Sequence, residues 1–323
     1  RVLVARGGRW GGGDGIKGCL VVSCACYHCF VRLEFDYPPS GQTTNCIYIY
    51  TRTTQPFTMA HVNRLANTHV FVFGGTSGIG YAVANLALSN GARVTISGSA
   101  QPKVDAKVQQ LQSLYPNSPA ENVTGYACDL SDQANIEANL TALFEKATQG
   151  GSKKIDHIAY TAGDSLSLTS VKEATPQTIL GGFNMRVVVP GIVAKILTTG
   201  KYMPLSTDSS LTLTGGTNTA KPFPGWTYIA AMGGSIEGLV RGLAKDLKPI
   251  RTNMVHPGAI QTELLQPLLD RMGEEALAKY RQANSVTESF GQPEDIAEAY
   301  AYLMKDRFAT GSQVTSDGGR LLV

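Results

Sequence analysis

The chain has 323 residues, 43% of them hydrophobic and 16% charged, with a formal net charge of +3 at pH 7. These are the proportions of a globular α/β protein, and they exclude a disordered or collagen-like chain. So small a positive surplus does not make the clustered basic face that nucleic acid requires. No run of 18 or more uniformly apolar residues marks a membrane span, so neither nucleic acid nor membrane is expected as a partner. Five cysteines (Cys19, Cys24, Cys26, Cys29 and Cys46) lie near the start and only Cys128 lies beyond. A long body with one cysteine reads as a protein of the reducing cytoplasm, not as a disulfide scaffold.

Residues 1–58 differ from the rest: Gly- and Arg-rich at first, then apolar over 18–31, then Thr-rich. A metal clip of Cys24, Cys26, His28 and Cys29 is disfavoured because its spacings are too tight for tetrahedral zinc, so no metal is expected. Lys17 ahead of the apolar stretch has the look of a targeting leader. The favoured reading is an extension, disordered or outside the mature protein, with Met59 the natural start. Residues 59–323 then suit a single doubly wound domain.

From Thr68 the pattern is strand, glycine loop, helix. HVFVF at 69–73 is short, β-branched and aromatic, as a buried strand should be. GGTSGIG follows at 74–80, and YAVANLALSN forms a helix ended by Gly91. Gly74 permits the sharp turn, Gly78 lets the backbone approach a pyrophosphate, and Gly80 lets the helix pack close to the strand. Thr76, Ser77 and Ile79 complete the loop, and the helix N-terminus offers free N–H groups to phosphate.

The G-x-x-x-G-I-G spacing resembles the short-chain dehydrogenase/reductase superfamily, although Phe73 replaces the usual Thr before the first glycine. CDLSD at 128–132 resembles the family's adenine-side motif, with Asp129 and Leu130 in place. YTAG at 160–163 resembles its NNAG turn, with Tyr160 and Thr161 for both asparagines and Ala162 and Gly163 retained. HPGAIQT at 256–262 resembles the segment that meets the nicotinamide carboxamide, through Pro257, Gly258, Ile260 and Thr262. GQPEDIAEAYAYLM at 291–304 and DGG at 317–319 resemble the last helix and strand. The resemblance covers 68–320 in order. It implies a single Rossmann domain, with a parallel sheet of about seven strands, helices on both faces and a substrate lid near 263–290.

Cofactor choice turns on the end of the second strand, RVTISGSAQPK at 93–103. A carboxylate there would hold the ribose 2′-OH and repel a 2′-phosphate. The chain has Ser97, Gly98 and Ser99 instead, with Lys103 nearby. NADP(H) is therefore expected over NAD(H).

In the family an Asn, a Ser, a Tyr and a Lys cooperate. The Ser position falls among Thr214, Gly215 and Gly216, and Thr214 is the partial substitute. Tyr228 is followed four residues later by Met232; aligning on the helix that follows gives Ile229 and Gly233 instead. Both registers stay open, and neither supplies a lysine. Spacing to Lys195 puts Arg186 at the Asn position, with Asn184 two residues earlier. An unassisted tyrosine keeps a pKa of about 10 and exchanges protons poorly at neutral pH.

Two charged residues take on interest. Asp164 follows the YTAG turn, where such folds place ligands, and Arg186 is expected to face the same cleft. A carboxylate there would stabilise a cationic substrate, and an iminium accepts hydride without a proton donor. Asp164, Arg186, Tyr228 and Thr214 are therefore the candidate catalytic residues. The constellation is similar to fungal secondary-metabolism reductases, among them bifunctional reductase/Diels–Alderases of indole alkaloid pathways. Leu264, Leu265, Leu268 and Leu269 recur at helical spacing in the lid, and Phe223, Trp226 and Tyr228 suit a bulky apolar substrate. The helices near 183–199 and 232–247 resemble those through which the family forms dimers and tetramers. Two rivals stay open: a non-redox cyclase or isomerase, and a catalytically silent dinucleotide-binding protein.

Overall fold

The computed structural model describes residues 60–164 and 168–323, with the backbone alone at 267 and 268, and the backbone of three N-terminal strands. The chain divides into two units at Ala60. In the first, β1 (Val4–Arg9), β2 (Lys17–Ser23) and β3 (Phe30–Asp36) form an antiparallel sheet in that order. The segment expected to lack regular structure thus carries three strands. The Cys24, Cys26, His28 and Cys29 cluster lies outside the described residues.

The second unit, from His61 onward, carries seven strands: β4 (His69–Phe73), β5 (Arg93–Gly98), β6 (Val123–Ala127), β7 (His157–Tyr160), β8 (Ser210–Thr214), β9 (Arg251–Pro257) and β10 (Gln313–Ser316). They lie in the order β10-β9-β8-β7-β4-β5-β6, every neighbouring pair parallel. The helices are α1 (Gly78–Ser89), α2 (Gln101–Leu114), α3 (Ile136–Thr148), α4 (Pro176–Phe183), α5 (Val189–Leu197), α6 (Thr227–Asp246), α7 (Gln266–Leu269), α8 (Glu274–Asn284) and α9 (Pro293–Lys305). This is the doubly wound Rossmann fold expected from the sequence.

Strand β4 shows why a continuous apolar run belongs here. Its residues alternate between faces, and both faces are covered by helices. Val70 and Val72 enter one core with Ala84, Ala87 and Tyr300 from α1 and α9. Phe71 and Phe73 enter the other with Phe144, Val193 and Ile236 from α3, α5 and α6. The phenylalanine rings are 4.7 Å apart, and Phe73 lies 5.2 Å from Tyr160. Each fully buried ring stabilises the fold by roughly 1.5–3 kcal/mol. Gly91, at φ +79°, closes α1 as the sequence suggests.

Helix α4 starts at a reciprocal cap in which Thr175 Oγ1 accepts from Thr178 N at 3.2 Å. It passes through a π turn, Asn184–Val188, directly into α5. The whole run Pro176–Leu197 is long and apolar enough to cross a membrane by length and composition, with mean hydropathy 1.4. That was not apparent from the sequence, because Arg186 and Lys195 interrupt the run. In the fold α5 packs on α3 and the π turn on α6, as a layer of the α/β domain does.

The strand order reverses between β4 and β7, whose successors wind to opposite sides. The crevice at their carboxyl ends is where such sheets bind ligands.

Candidate active site

At the end of β4 the chain turns through Gly74, at φ +76°, and Gly78, at φ +47°. Gly74 N and Gly75 N both donate to the Ser97 carbonyl at 3.0 Å, fixing the loop to β5. A Cβ on Gly74 would stand 2.8 Å from Ala162 N, and one on Gly80 would strike the Gly74 carbonyl and the Thr161 hydroxyl. The glycines therefore let β4, the α1 N-terminus and the β7 turn meet. Thr76 is buried and Ser77, the N-cap of α1, leaves its side chain out of the cap; Ile79 packs into the α1 core. No side chain caps the N-terminus of α1, so its first N–H groups are left for a ligand such as a dinucleotide pyrophosphate.

Around that turn lie the other residues that the sequence singled out. Thr262 lays its methyl 3.0 Å from where a Gly78 Cβ would be, and a Glu263 carboxylate oxygen comes to 3.5 Å of the same point. An anionic side chain thus reaches the positive helix end. Ile260 is buried and bridges to Gly291, while Pro257 is buried and Gly258 abuts the Asp317 backbone. Those contacts hold the 257–262 loop beside the glycine loop. At the end of β5, Gly98 faces Thr76 at 2.6 Å from a would-be Cβ, and Ser99 and Lys103 are exposed. Asp129 is exposed and accepts from Ser131 N at 2.9 Å and Ser131 Oγ at 2.6 Å, which holds its carboxyl below the usual range. Leu130 beside it is buried. These residues fit NAD(P), which when bound supplies a hydride from its nicotinamide ring.

Asp164 and Arg186 do come together. Arg186 Nη2 lies 3.2 Å from Asp164 Oδ1 and donates to the Asp164 carbonyl at 2.8 Å. Arg186 is 17% exposed and Asp164 42%, so the arginine is the anchored partner. Burial lowers the guanidinium pKa, and the Asp164 charge opposes that shift. The guanidinium lies flat on Gly163, where any Cβ would collide with it. Arg186 Nε and Asn184 Oδ1 are both buried without a hydrogen-bond partner. The π turn delivers this arrangement, as π turns often do at functional positions. Sequence spacing located Arg186 but gave no sign of the turn, of Gly163 as its seat or of the open valences beside it.

The remaining candidates are not gathered there. Thr214 Oγ1 donates to the Tyr160 carbonyl at 2.6 Å and meets the Tyr300 hydroxyl, so its hydroxyl is engaged inside the fold. Tyr300 is buried and its pKa is pushed up by that burial. A Cβ at Gly215 would collide with Met254 and stand 3.0 Å from the His256 ring. Glycine there makes room for those two side chains, and a serine has none. Tyr228 is half-buried in the first turn of α6. Met232 is buried, with its sulfur 2.9 Å from a would-be Cβ on Gly182, and Gly233 is pressed against Thr219. Both candidate lysine positions are thus closed by packing. Leu264–Leu269 does not form one apolar stripe: Leu264 is exposed, Leu269 is buried, and only Gln266–Leu269 is helical. The side chain of Leu268 is outside the described residues.

Both departures in the YTAG turn have structural roles. Thr161 Oγ1 donates to the Phe73 carbonyl at 2.6 Å, and Tyr160 Oη donates to the Met185 carbonyl at 2.6 Å. The first ties β7 to β4, and the second ties β7 to the π turn.

Fold and site together define a dinucleotide-binding reductase scaffold. Residues 61–323 match a family described as the SDR-like Rossmann domain, and the chain belongs to the short-chain dehydrogenase/reductase family. It is 40% identical over 258 residues to the short-chain dehydrogenase/reductase malC of Malbranchea aurantiaca, covering 80% of this chain and 96% of the relative. It is 34% identical over 261 residues to ucsE of Acremonium sp, covering 80% and 97%. The solved structure of the MalC reductase/Diels–Alderase from Malbranchea aurantiaca matches with a TM-score of 0.75 at 39% identity, over 81% of this chain and 99% of that one. The chain is therefore an oxidoreductase-type protein related to fungal secondary-metabolite reductases.

Proposed function

We propose that this chain is an NADP(H)-dependent reductase of a bulky, hydrophobic, iminium-containing secondary metabolite. The carrying observation is the Asp164–Arg186 pair seated on Gly163 at the switch point, where no Tyr–Lys pair is available. Asp164 is exposed enough to meet a cation, and Arg186 is fixed enough to orient a carbonyl or the Asp164 carboxylate. Hydride added to an iminium carbon becomes a C–H bond. The C=N π pair becomes the nitrogen lone pair, so no proton is needed at the reacting atoms. NADPH is preferred because Ser97, Gly98 and Ser99 place no carboxylate at the end of β5.

Asp164 and Arg186 act on substrate in this reading. Gly74, Thr76, Ser77, Gly78, Ile79, Gly80, Asp129, Leu130, Ala162, Gly163, Pro257, Gly258, Ile260 and Thr262 hold the cofactor. The domain begins near Met59, the lid spans 263–290, and copies associate through the helices near 183–199 and 232–247, where Val188 is exposed.

The test is titration of the purified chain with NADPH and NADH, then single-turnover oxidation against a cyclic iminium and a matched ketone. Tighter NADPH binding with oxidation by the iminium alone is the expected result. Binding without turnover of either would favour the silent-protein reading. A second reading, cyclisation without net redox, is favoured by the name of the MalC reductase/Diels–Alderase. Product formation without NADPH loss would select it.

A further inference from the structure

Arg320, three residues from the C-terminus, is 2% exposed. Among the described residues its guanidinium donates to uncharged oxygens drawn from separate segments. Nη1 donates to Thr217 Oγ1 at 2.9 Å, Nη2 to Asn218 Oδ1 and to the Lys221 carbonyl, each at 2.8 Å, and Nε to Asn284 Oδ1 at 3.2 Å. Its face lies 4.6 Å from the centre of the Phe223 ring. Lys221 Nζ in turn donates to the Arg320 carbonyl at 3.2 Å.

These contacts join two segments that are far apart in sequence. One is the loop from β8 to α6, with Phe223 and Trp226 ahead of Tyr228. The other is α8, which carries Tyr280 and Asn284. Trp226 and Phe223 are 5.5 Å apart, Phe223 and Tyr280 6.2 Å, and Tyr280 and Phe290 5.9 Å. Four aromatic rings from three segments thus form one ladder, and Arg320 is bonded to two of those segments at once. A lysine has no planar fork that reaches both. Burial favours loss of the cation's proton and the Asp317 charge opposes it, while its hydrogen bonds go to neutral oxygens that fix its geometry.

We propose that Arg320 is a positioning residue that fastens the β8–α6 loop to α8. The aromatic wall then stands preformed, with Phe223 and Phe290 each backed by an arginine, and its half-buried ring edges offer apolar contact to a ring-bearing substrate. The substrate half rests on the function proposed above; the fastening does not.

The chain has two tryptophans, Trp10 and Trp226, so a Trp10→Phe background leaves Trp226 as the sole reporter of the wall. In that background Arg320→Met and Arg320→Lys are compared by acrylamide quenching, amide hydrogen exchange and NADPH titration of the full chain. The expected result is greater quenching of Trp226 and exchange faster by about tenfold or more in 217–226 and 280–284 together, with β4, β5 and NADPH affinity unchanged. Exchange that rises uniformly through the sheet, or does not rise in either segment, overturns the proposal. Should Arg320→Met fail to fold, Asn218→Ala removes a loop acceptor of Arg320 alone, and faster exchange in 217–226 without 280–284 is then expected; no change in 217–226 overturns the proposal. With a ring-bearing iminium as probe, Arg320→Lys should raise KM and leave kcat nearly unchanged; a fall in kcat alone overturns the substrate half. Absence of turnover in the unaltered chain would count against the proposed reaction and leave the exchange result standing.

Discussion

Tyr160 Oη donates to the Met185 carbonyl at 2.6 Å, and through that bond the end of β7 grips the π turn that carries Arg186. Burial pushes the Tyr160 phenol pKa upward, so it remains a neutral donor at every working pH. Tyr160→Phe keeps the ring against Phe73 and removes only the hydroxyl. It should lower the unfolding free energy by about 1–3 kcal/mol, the cost of leaving a buried carbonyl unpaired. Urea denaturation monitored by far-UV circular dichroism measures this. Because the lost bond sits next to Arg186, iminium reduction should slow as well.

Gly163 and Arg186 make a sharper pair. The guanidinium occupies the volume that any side chain at 163 would need. Gly163→Ala should displace Arg186 from Asp164 and cut single-turnover iminium reduction by about tenfold or more. Gly163 is exposed, so its melting temperature should move little. Asp164→Asn should slow the same step by a larger factor than it weakens NADPH binding, which is titrated alongside. Unaltered turnover in both variants would remove the pair from the mechanism.

The fold was legible because its signals are local. HVFVF followed by GGTSGIG can be little else than a strand entering a glycine turn, and the range of β4 and the Gly91 cap follow from such segments. The glycine turn was legible for the same reason: Gly74 and Gly78 take positive φ, and Gly80 has no room for a Cβ. The catalytic side was legible only in part. Arg186 and Asp164 were found by position, but the π turn that unites them depends on packing between helices and leaves no periodic mark. Thr214, expected to substitute in part for the family's Ser, has its hydroxyl engaged by the Tyr160 carbonyl and by Tyr300, a partner 86 residues away that no local pattern announces. Arg320 was invisible, since its partners lie 36 to 103 residues off in sequence.

Cofactor preference can be shifted at the surface. Gly98 is a poor site for a carboxylate, because its Cβ would press on the Thr76 methyl at 2.6 Å. Ser99 is exposed and free of that crowding. Ser99→Asp should weaken NADPH binding by about tenfold or more through repulsion of the 2′-phosphate, and leave NADH binding within about threefold. Fluorescence titration with both dinucleotides tests it. Equal weakening of both would mean that Ser99 does not border the 2′ position.

Acid should destabilise the domain through two buried histidines. Burial lowers His69 to about 4 and His157 to about 3 from the usual 6.5. Each ring is held neutral: His69 Nε2 contacts Thr95 Oγ1 at 2.8 Å, and His157 Nδ1 contacts Ser210 Oγ at 2.9 Å. Below pH 6.5 the unfolded chain takes up protons that the folded chain refuses, so stability falls as pH falls from 6.5 toward 4. Between pH 7 and 5 each histidine should remove about 2 kcal/mol. Asp156, whose carboxylate accepts from His69 N at 2.8 Å, has its pKa raised by burial and offsets part of this loss nearer pH 4. Urea midpoints at pH 7 and 5 give the total, and His157→Asn should reduce the difference by about half. A midpoint that does not move between the two pH values would mean that both rings are already accessible to protons in the folded state.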